Sequence, residues 1–512
     1  MNVCICVFFC IFAITYLRIN IIYMTEKQNV KHPSWVLECK RKGTELRYLK
    51  GNYYLYEVTS KWNPDKKRSV KITGKLLGKI TEADGFVESE KARLRKQQLV
   101  VERIQVKEYG IYFIIEGLFV DTTKMLQKYF PDTWQTIVCL AFGRLVHRSA
   151  LKNMLFHYSN SYLSVQYPDV NLSARHLSSF LRSMGQERGR IVEFCRSFRA
   201  MNDCIIFDGT DIFSRSEKME LPKLSKSKSG IFDDVINVMC VFSVGQQMPV
   251  YYRLLPGNIK DMNAFKISLL ESGVDYDAVI VLDKGFASEN NIKALEDENL
   301  KYIISLPRDS KLIDYEKAKN GNKSQFDGYL KHAGRFIWYY SYEVKNKRKV
   351  TVYLDEQFRN REEADYLDRI EDKAGKYTIE KFHQKRHAFG TLAIIENTQK
   401  NACDTYQGYK TRAEVETMID ALKNILDADR TYMQNQQTLE GWMFINLIAL
   451  KWYYSILNLL KKHELNKNYS PMDLLMILAA IKKVKINDLW HDAEITQKTS
   501  ELLLKLGIGP IT

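Results

Sequence analysis

"CIIFDGTDIFS", residues 204 to 214, begins as an unbroken apolar run and then meets an acid at Asp208. An apolar run of this length bounded by polar residues predicts a buried strand. The next stretches of chain repeat the pattern. "VINVMCVFSV" (235–244) and "MPVYYRLLP" (248–256) predict two more strands joined by a turn at Gly245. Residues 261–272 predict a helix. "DAVIVLDKGFA" (277–287) predicts a buried strand that again ends in an acid, Asp283. "SENNIKALEDEN" (288–299) predicts a helix with Ser288 at its N-cap, and "KYIISLP" (301–307) a fifth strand. The order β-β-β-α-β-α-β predicts a mixed central sheet covered by helices.

Outward from this core the period changes. "LRYLKGNYYLYEVTSKW" (46–62) and "RSVKITGKLLGKI" (68–80) are rich in aromatic and β-branched residues, with turn signals at Gly51 and Asn63-Pro64, and predict strands. Residues 133–200 carry apolar residues at helical spacing, with Ser173 as a candidate N-cap. Arg175, Arg182, Arg188 and Arg190 give the second of these helical stretches a basic face, which suits DNA binding and equally a solvated surface. Between Pro307 and Gly390, "RFIWYYSYEVKNKRKVTVYL" is β-rich and "NREEADYLDRIEDKAGKY" is charged and helical; about 80 residues is too long for a connecting loop, so an insertion is expected. From 437 onward "TLEGWMFINLIALKWYYSILNLLKK" and "PMDLLMILAAIKKVKI" predict helices. The first contains Glu440, Asn446, Lys451 and Asn458 and is read as a core helix.

The expected organisation is a leader (1–23), an N-terminal β-rich region (24–120), a helical, DNA-binding region (121–200), and a core in two parts (201–309 and 389–460). A β-rich insertion (310–388) separates the two parts, and a helical tail (461–512) closes the chain. Val3 to Leu17 is apolar apart from Thr15, but it is short for a membrane span and has no basic residues before it. Translation from Met24 is the expectation and a signal anchor the alternative; the expected location is the cytoplasm, at the nucleoid. Nine cysteines without a C-x-x-C pair fit a reducing compartment and argue against a zinc ribbon or a disulfide scaffold. The formal charge of +15 points to a polyanion such as nucleic acid, or to a lysine-rich proteome. No Walker A, G-x-G-x-x-G or H-E-x-x-H motif is present.

One more stretch carries the chemistry. In "YKTRAEVETMIDALKNI" (409–425), Tyr409, Arg412, Glu416 and Lys423 fall within about 60° on one face of a helix. Val415, Met418, Ile419, Leu422 and Ile425 form the neighbouring apolar stripe. Asp208 or Asp283 alone reads as a turn or cap acid. Together with Glu416 they make a set of oxygen ligands for hard divalent cations. Two such ions about 3.5–4 Å apart serve phosphodiester chemistry.

In these residues the chain resembles the bacterial insertion-sequence transposases with an Asp-Asp-Glu triad and an RNase H-like core. Y-x2-R-x3-E-x6-K, spelled by Tyr409, Arg412, Glu416 and Lys423, is similar to the signature helix of one subgroup, as are "FDGT" (207–210), "PGN" (256–258), "LDKGF" (282–286) and the β-rich insertion. The likeness spans about residues 200 to 460. It implies a metal site of Asp208, Asp283 and Glu416 holding two Mg²⁺ or Mn²⁺ ions, with Asp420 as the rival to Glu416. It implies DNA phosphates held by Tyr409, Arg412 and Lys423, and no small-molecule cofactor. The implied partners are double-stranded DNA, as the element's terminal inverted repeats and as target, and a second copy of the chain in a DNA-bound dimer. The implied activity is cut-and-paste transposition by metal-dependent strand cleavage and joining of the 3′-hydroxyl. A catalytically inactive, DNA-binding repressor is the alternative. Trp338 is the tryptophan of the insertion, and its role stays open.

Overall fold

The structure, a computed structural model, describes residues 32–64, 66–97, 103–227, 230–259, 261–274, 277–372 and 375–509. The hydrophobic leader lies outside them. The chain divides into two compact units, 1–102 and 103–512.

The first unit is an antiparallel meander of β1 (Thr44–Leu49), β2 (Asn52–Asn63), β3 (Arg68–Thr81) and β4 (Gly85–Glu88). Lys50 and Gly51 both have positive φ (48° and 80°) and join β1 to β2 with Leu49 opposite Asn52. This is the mirror-image turn whose twist matches that of paired strands. Val36, Leu55 and Ile80 form its small core.

In the second unit, β5 (Ile104–Glu108) leads into the helical region, where Trp134–His147 and Ala174–Gln186 pack on the long helix Gln436–Lys462. Helix 134–147 stops because Arg148 turns left-handed, at φ 48°. Helices 174–186 and 436–462 cross nearly backbone to backbone. A Cβ on Gly185 would lie 1.8 Å from the Gln437 carbonyl, and one on Gly441 would lie 2.2 Å from that of Leu181. The long helix is apolar and long enough to cross a membrane, but 78% of its apolar window is buried within the fold, as a core helix requires.

The central sheet contains β6 (Cys204–Ser214), β7 (Lys223–Lys226), β8 (Phe232–Ser243), β9 (Met248–Pro256), β10 (Val279–Leu282) and β11 (Lys301–Ser305). It continues with β12 (Gly328–His332), β13 (Arg335–Val344), β14 (Arg348–Asp355), β15 (Thr391–Glu396) and the short β16 (Arg430–Thr431). β6, β8 and β9 pair antiparallel, and β10 and β11 then lie parallel to β6. This is the mixed α/β architecture expected from the sequence. The strands of the 310–388 segment do not form a sheet of their own: β14 pairs with β15 and β15 with β11, so β12–β14 extend the central sheet.

Three local readings change. β7, a four-residue edge strand, has no counterpart in the strands expected from the sequence. Residues 482–486, expected to be helical, form β17 (Lys482–Ile486), which pairs with β5 and β18 (Leu489–Asp492). The preceding helix ends at Ala479, and Ile481 gives its carbonyl to the Tyr109 and Gly110 amides instead. Ser173 and Ser288 occupy N-cap positions without side-chain cap bonds.

Candidate active site

The sheet register brings the first two acids together. The last β6–β10 pair is Ile206 with Val281, and the last β10–β11 pair is Leu282 with Ile304. Carried on in parallel register, the same rows set Asp208 beside Asp283 and Asp283 beside Ser305. The core acids thus stand at the carboxyl end of the parallel strands, where α/β sheets place their sites. Strand β6 does not end at Asp208, as the sequence suggested, but runs on to Ser214 along β8.

The third acid arrives on a helical segment less regular than its sequence implies. A helix covers Ala402–Lys410, N-capped by Asn401, whose side chain accepts from the Asp404 amide at 2.8 Å. Thr411 and Arg412 form a tight turn in which the 412, 414 and 415 amides bond three residues back. The helix resumes over Ala413–Asp420 and widens to a π-turn at Ala421–Ile425. Val415, Met418 and Leu422 are buried, as the apolar stripe predicts; Ile419 and Ile425 are half-buried. Arg144, reaching from helix 134–147, caps the carbonyl of Leu426 after the π-turn and bonds Asn446 at 3.0 Å.

Arg412 is the centre of the arrangement. One guanidinium nitrogen lies 3.2 Å from Asp208 Oδ2 and 3.5 Å from Asp283 Oδ2; the other lies 2.7 Å from Glu416 Oε1. Burial opposes its charge, but Asp208 and Asp283 outweigh that, and its pKa is raised. Its buried Nε has no hydrogen-bond partner among the described residues. Tyr409 donates to Ser305 Oγ at 2.9 Å, and Ser305 donates to Asp283 Oδ1 at 3.4 Å. Burial raises the Tyr409 pKa, with Asp283 adding to it. Lys423 stands apart from the three acids, 3.8 Å from Asp211 Oδ1, a buried carboxylate on β6. Asp420 accepts from Asn424 at 2.5 Å and is exposed, so Glu416 joins the two aspartates and Asp420 does not.

Sequence reasoning missed Ser305 and Asp211. Ser305 had a signal: it closes a parallel strand at the offset of the two aspartates. Asp211 was visible in "FDGTD", but its pairing with Lys423 depends on the π-turn, which no spacing rule foretells.

The site opens onto a cleft of about 840 Å³ whose walls include Asp283, Ser305, Tyr409, Arg412 and Glu416. Lys284, Arg308, Arg335 and Lys410 add positive charge to the walls, with Arg335 paired to Asp355 at 2.6 Å. Ile337 on β13 faces this cleft, so its strand neighbour Trp338 points to the other face. There it meets Phe326, Tyr329 and the Lys323 ammonium. Arg188 is not on an exposed basic face. It is largely buried, paired with Glu440 at 2.6 Å and Glu271 at 2.9 Å, and donates to the Tyr252 carbonyl. Arg175 and Arg182 are exposed as expected; exposed Arg190 is paired with Glu187.

Residues 200–452 match the family model described as "Transposase DDE domain". The matched stretch is just under half of the chain. Its bounds take in all eleven strands of the central sheet, the three acids and most of the long helix. No curated protein matches the chain in sequence. Among solved structures, it is similar to the piggyBac transposase synaptic complex with hairpin DNA, at 11% identity and a TM-score of 0.39, over 74% of this chain and 73% of that one. The Mos1 transposase paired-end complex with the left transposon end is matched at 13% identity and a TM-score of 0.14, over 30% of this chain and 53% of that one. Neither likeness is close enough to place residues.

Three carboxylates facing one cation supply the oxygen-only donor set that Mg²⁺ and Mn²⁺ prefer. No three His, Cys, Asp or Glu side chains among the described residues stand ready-made around a metal position. The donor chemistry of the three acids fits a divalent cation, while the position itself is held by the guanidinium.

Proposed function

We propose that the protein is a transposase that binds the ends of its insertion sequence, cleaves the DNA there and joins the freed 3′-hydroxyl to target DNA. The observation that carries this reading is the convergence of Asp208, Asp283 and Glu416, from three separate elements, on a single cationic group. Asp208, Asp283 and Glu416 are the residues that would hold two Mg²⁺ or Mn²⁺ ions. Bound divalent cations supply Lewis-acid activation of the attacking oxygen and stabilise the leaving one. Ser305 and Tyr409 orient Asp283 through their hydroxyls. Tyr409 and Arg412 hold a phosphate of the DNA end, Arg412 through its fork, and Lys423, set apart from the three acids beside Asp211, holds a phosphate further along as a point charge. Exposed Arg175 and Arg182 add affinity for uncut ends. Two copies of the chain pair the two ends of the element, and no small-molecule cofactor takes part.

The test is purified full-length protein with labelled terminal repeats taken from the DNA flanking the gene, in Mg²⁺ and in Mn²⁺. Nicking at the repeat ends is the expected result. Binding without nicking under either metal would overturn the transposase reading in favour of a DNA-binding repressor.

A further inference from the structure

Arg412 occupies the place that the proposed function gives to the cations. Its two terminal nitrogens reach Asp208, Asp283 and Glu416 within 3.5 Å, so it serves as the counter-charge for three converging carboxylates. Such a cluster without a counter-charge would be held together against its own repulsion. Divalent cations with the same ligands cannot share that space with a guanidinium. Entry of one requires departure of the other. The departing group has somewhere to go. Arg412 sits on the turn between helices 402–410 and 413–420, at the wall of the open cleft. Its buried Nε is unmatched by any acceptor among the described residues, so the carboxylates do not saturate its donors. A phosphate offers the paired acceptors that this fork suits best.

We propose that Arg412 is a tethered counter-ion that competes with divalent cations for the three acids. A DNA phosphate that draws Arg412 away therefore raises the site's affinity for those cations. By reciprocity, bound cations raise affinity for the DNA end by the same factor. The cation site is thus weak until DNA arrives, which restrains cleavage by the protein away from its own ends. This inference rests on the transposase reading.

The test measures Mn²⁺ binding directly, by the electron paramagnetic resonance signal of free Mn²⁺ over the full-length protein without DNA. Arg412→Gln is expected to tighten Mn²⁺ binding by about tenfold or more, because it removes a charge-assisted competitor. Arg412→Lys, which keeps the charge but loses the fork, is expected to tighten it by a smaller factor and covers the case in which Arg412→Gln fails to fold. Lys410→Gln removes a positive charge from the same cleft wall without touching the acids, and should change binding by less than about threefold. An oligonucleotide carrying the element's end should tighten Mn²⁺ binding to the unaltered protein and leave Arg412→Gln unchanged. Unchanged or weaker Mn²⁺ binding in both Arg412 variants overturns the exchange, as does an equal gain in Lys410→Gln. If Asp208→Asn still abolishes Mn²⁺ binding in those cases, the carboxylate site and the transposase reading stand without the exchange. If Asp208→Asn leaves Mn²⁺ binding intact, or no form of the protein binds Mn²⁺, both fall together.

Discussion

Tyr409 reaches Ser305 with its phenol at 2.9 Å, and through that serine hydroxyl it reaches Asp283, 3.4 Å further on. The 409–420 segment is therefore tied to Asp283 by a hydroxyl relay as well as by Arg412. Ser305→Ala should remove one hydrogen bond to a carboxylate and slow cleavage by about three- to tenfold. Because Ser305 acts by orienting Asp283, the Mn²⁺ concentration for half-maximal cleavage should rise while affinity for the DNA end stays the same. Single-turnover cleavage across a Mn²⁺ titration checks both. Equal loss at saturating and limiting Mn²⁺ would remove the orienting role.

Asp208→Asn, Asp283→Asn and Glu416→Gln should each abolish cleavage while leaving folding and end binding largely intact, since each keeps its shape and loses one ligating charge. Asp420→Asn should cut nearly as well as the unaltered protein, because Asp420 faces solvent and Asn424. Strand cleavage alongside an end-binding assay separates the cases. An active Glu416→Gln with an inactive Asp420→Asn would move the third acid by one turn.

The core strands were legible from their apolar runs, the two aspartates from their place at the ends of such runs, and the glutamate from its place beside an apolar helical stripe. Their alignment was not, since register depends on which strands pair, and β6 meets β10 across more than 70 residues of chain. The 409–425 segment reads as one helix because its apolar spacing is nearly regular. The tight turn at Thr411–Arg412 and the π-turn at Ala421–Ile425 arise from tertiary contacts, among them the Arg144 cap on Leu426. Arg188 misled for a similar reason: its helical position gives an outward face, and only the fold shows that Glu271 and Glu440 cover it. The Lys482–Ile486 strand failed a helical reading because β5 offers its edge there, and tertiary pairing outweighs weak local propensity.

Arg188 and the exposed arginines of the same region should therefore behave oppositely. Arg188→Gln removes the ion-pair partner of Glu440 and leaves Glu271 to Arg253, and breaking a largely buried pair costs up to about 3–5 kcal/mol. It should lower the melting temperature at every salt concentration. Arg175→Gln and Arg182→Gln should leave melting nearly unchanged and each reduce the slope of log affinity against log salt by about one unit. Thermal melts and end-binding isotherms at several salt concentrations check this. Unaltered salt slopes would make helix 174–186 an ordinary solvated surface.

Lys451 gives a pH dependence of stability with a definite sign. It is enclosed in the long core helix, donates to the Pro249 carbonyl at 3.2 Å and lies 3.7 Å above the Phe198 ring. Burial pulls its pKa from the ordinary 10.5 down to about 7. Between those values the unfolded chain holds a proton on this lysine and the folded chain does not, so folding gains stability as pH rises from about 7 toward 10.5. Below about 7 both states are protonated, and the whole burial cost opposes the fold. Lys451→Met keeps the bulk without the charge. The stability of the unaltered protein should therefore rise relative to Lys451→Met across pH 7 to 10, by a few kcal/mol in all. Groups common to both chains cancel in that difference. Urea unfolding of the two proteins at intervals of pH measures it. A difference that stays flat over the window would mean that Lys451 remains protonated in the fold, held by the carbonyl and the ring.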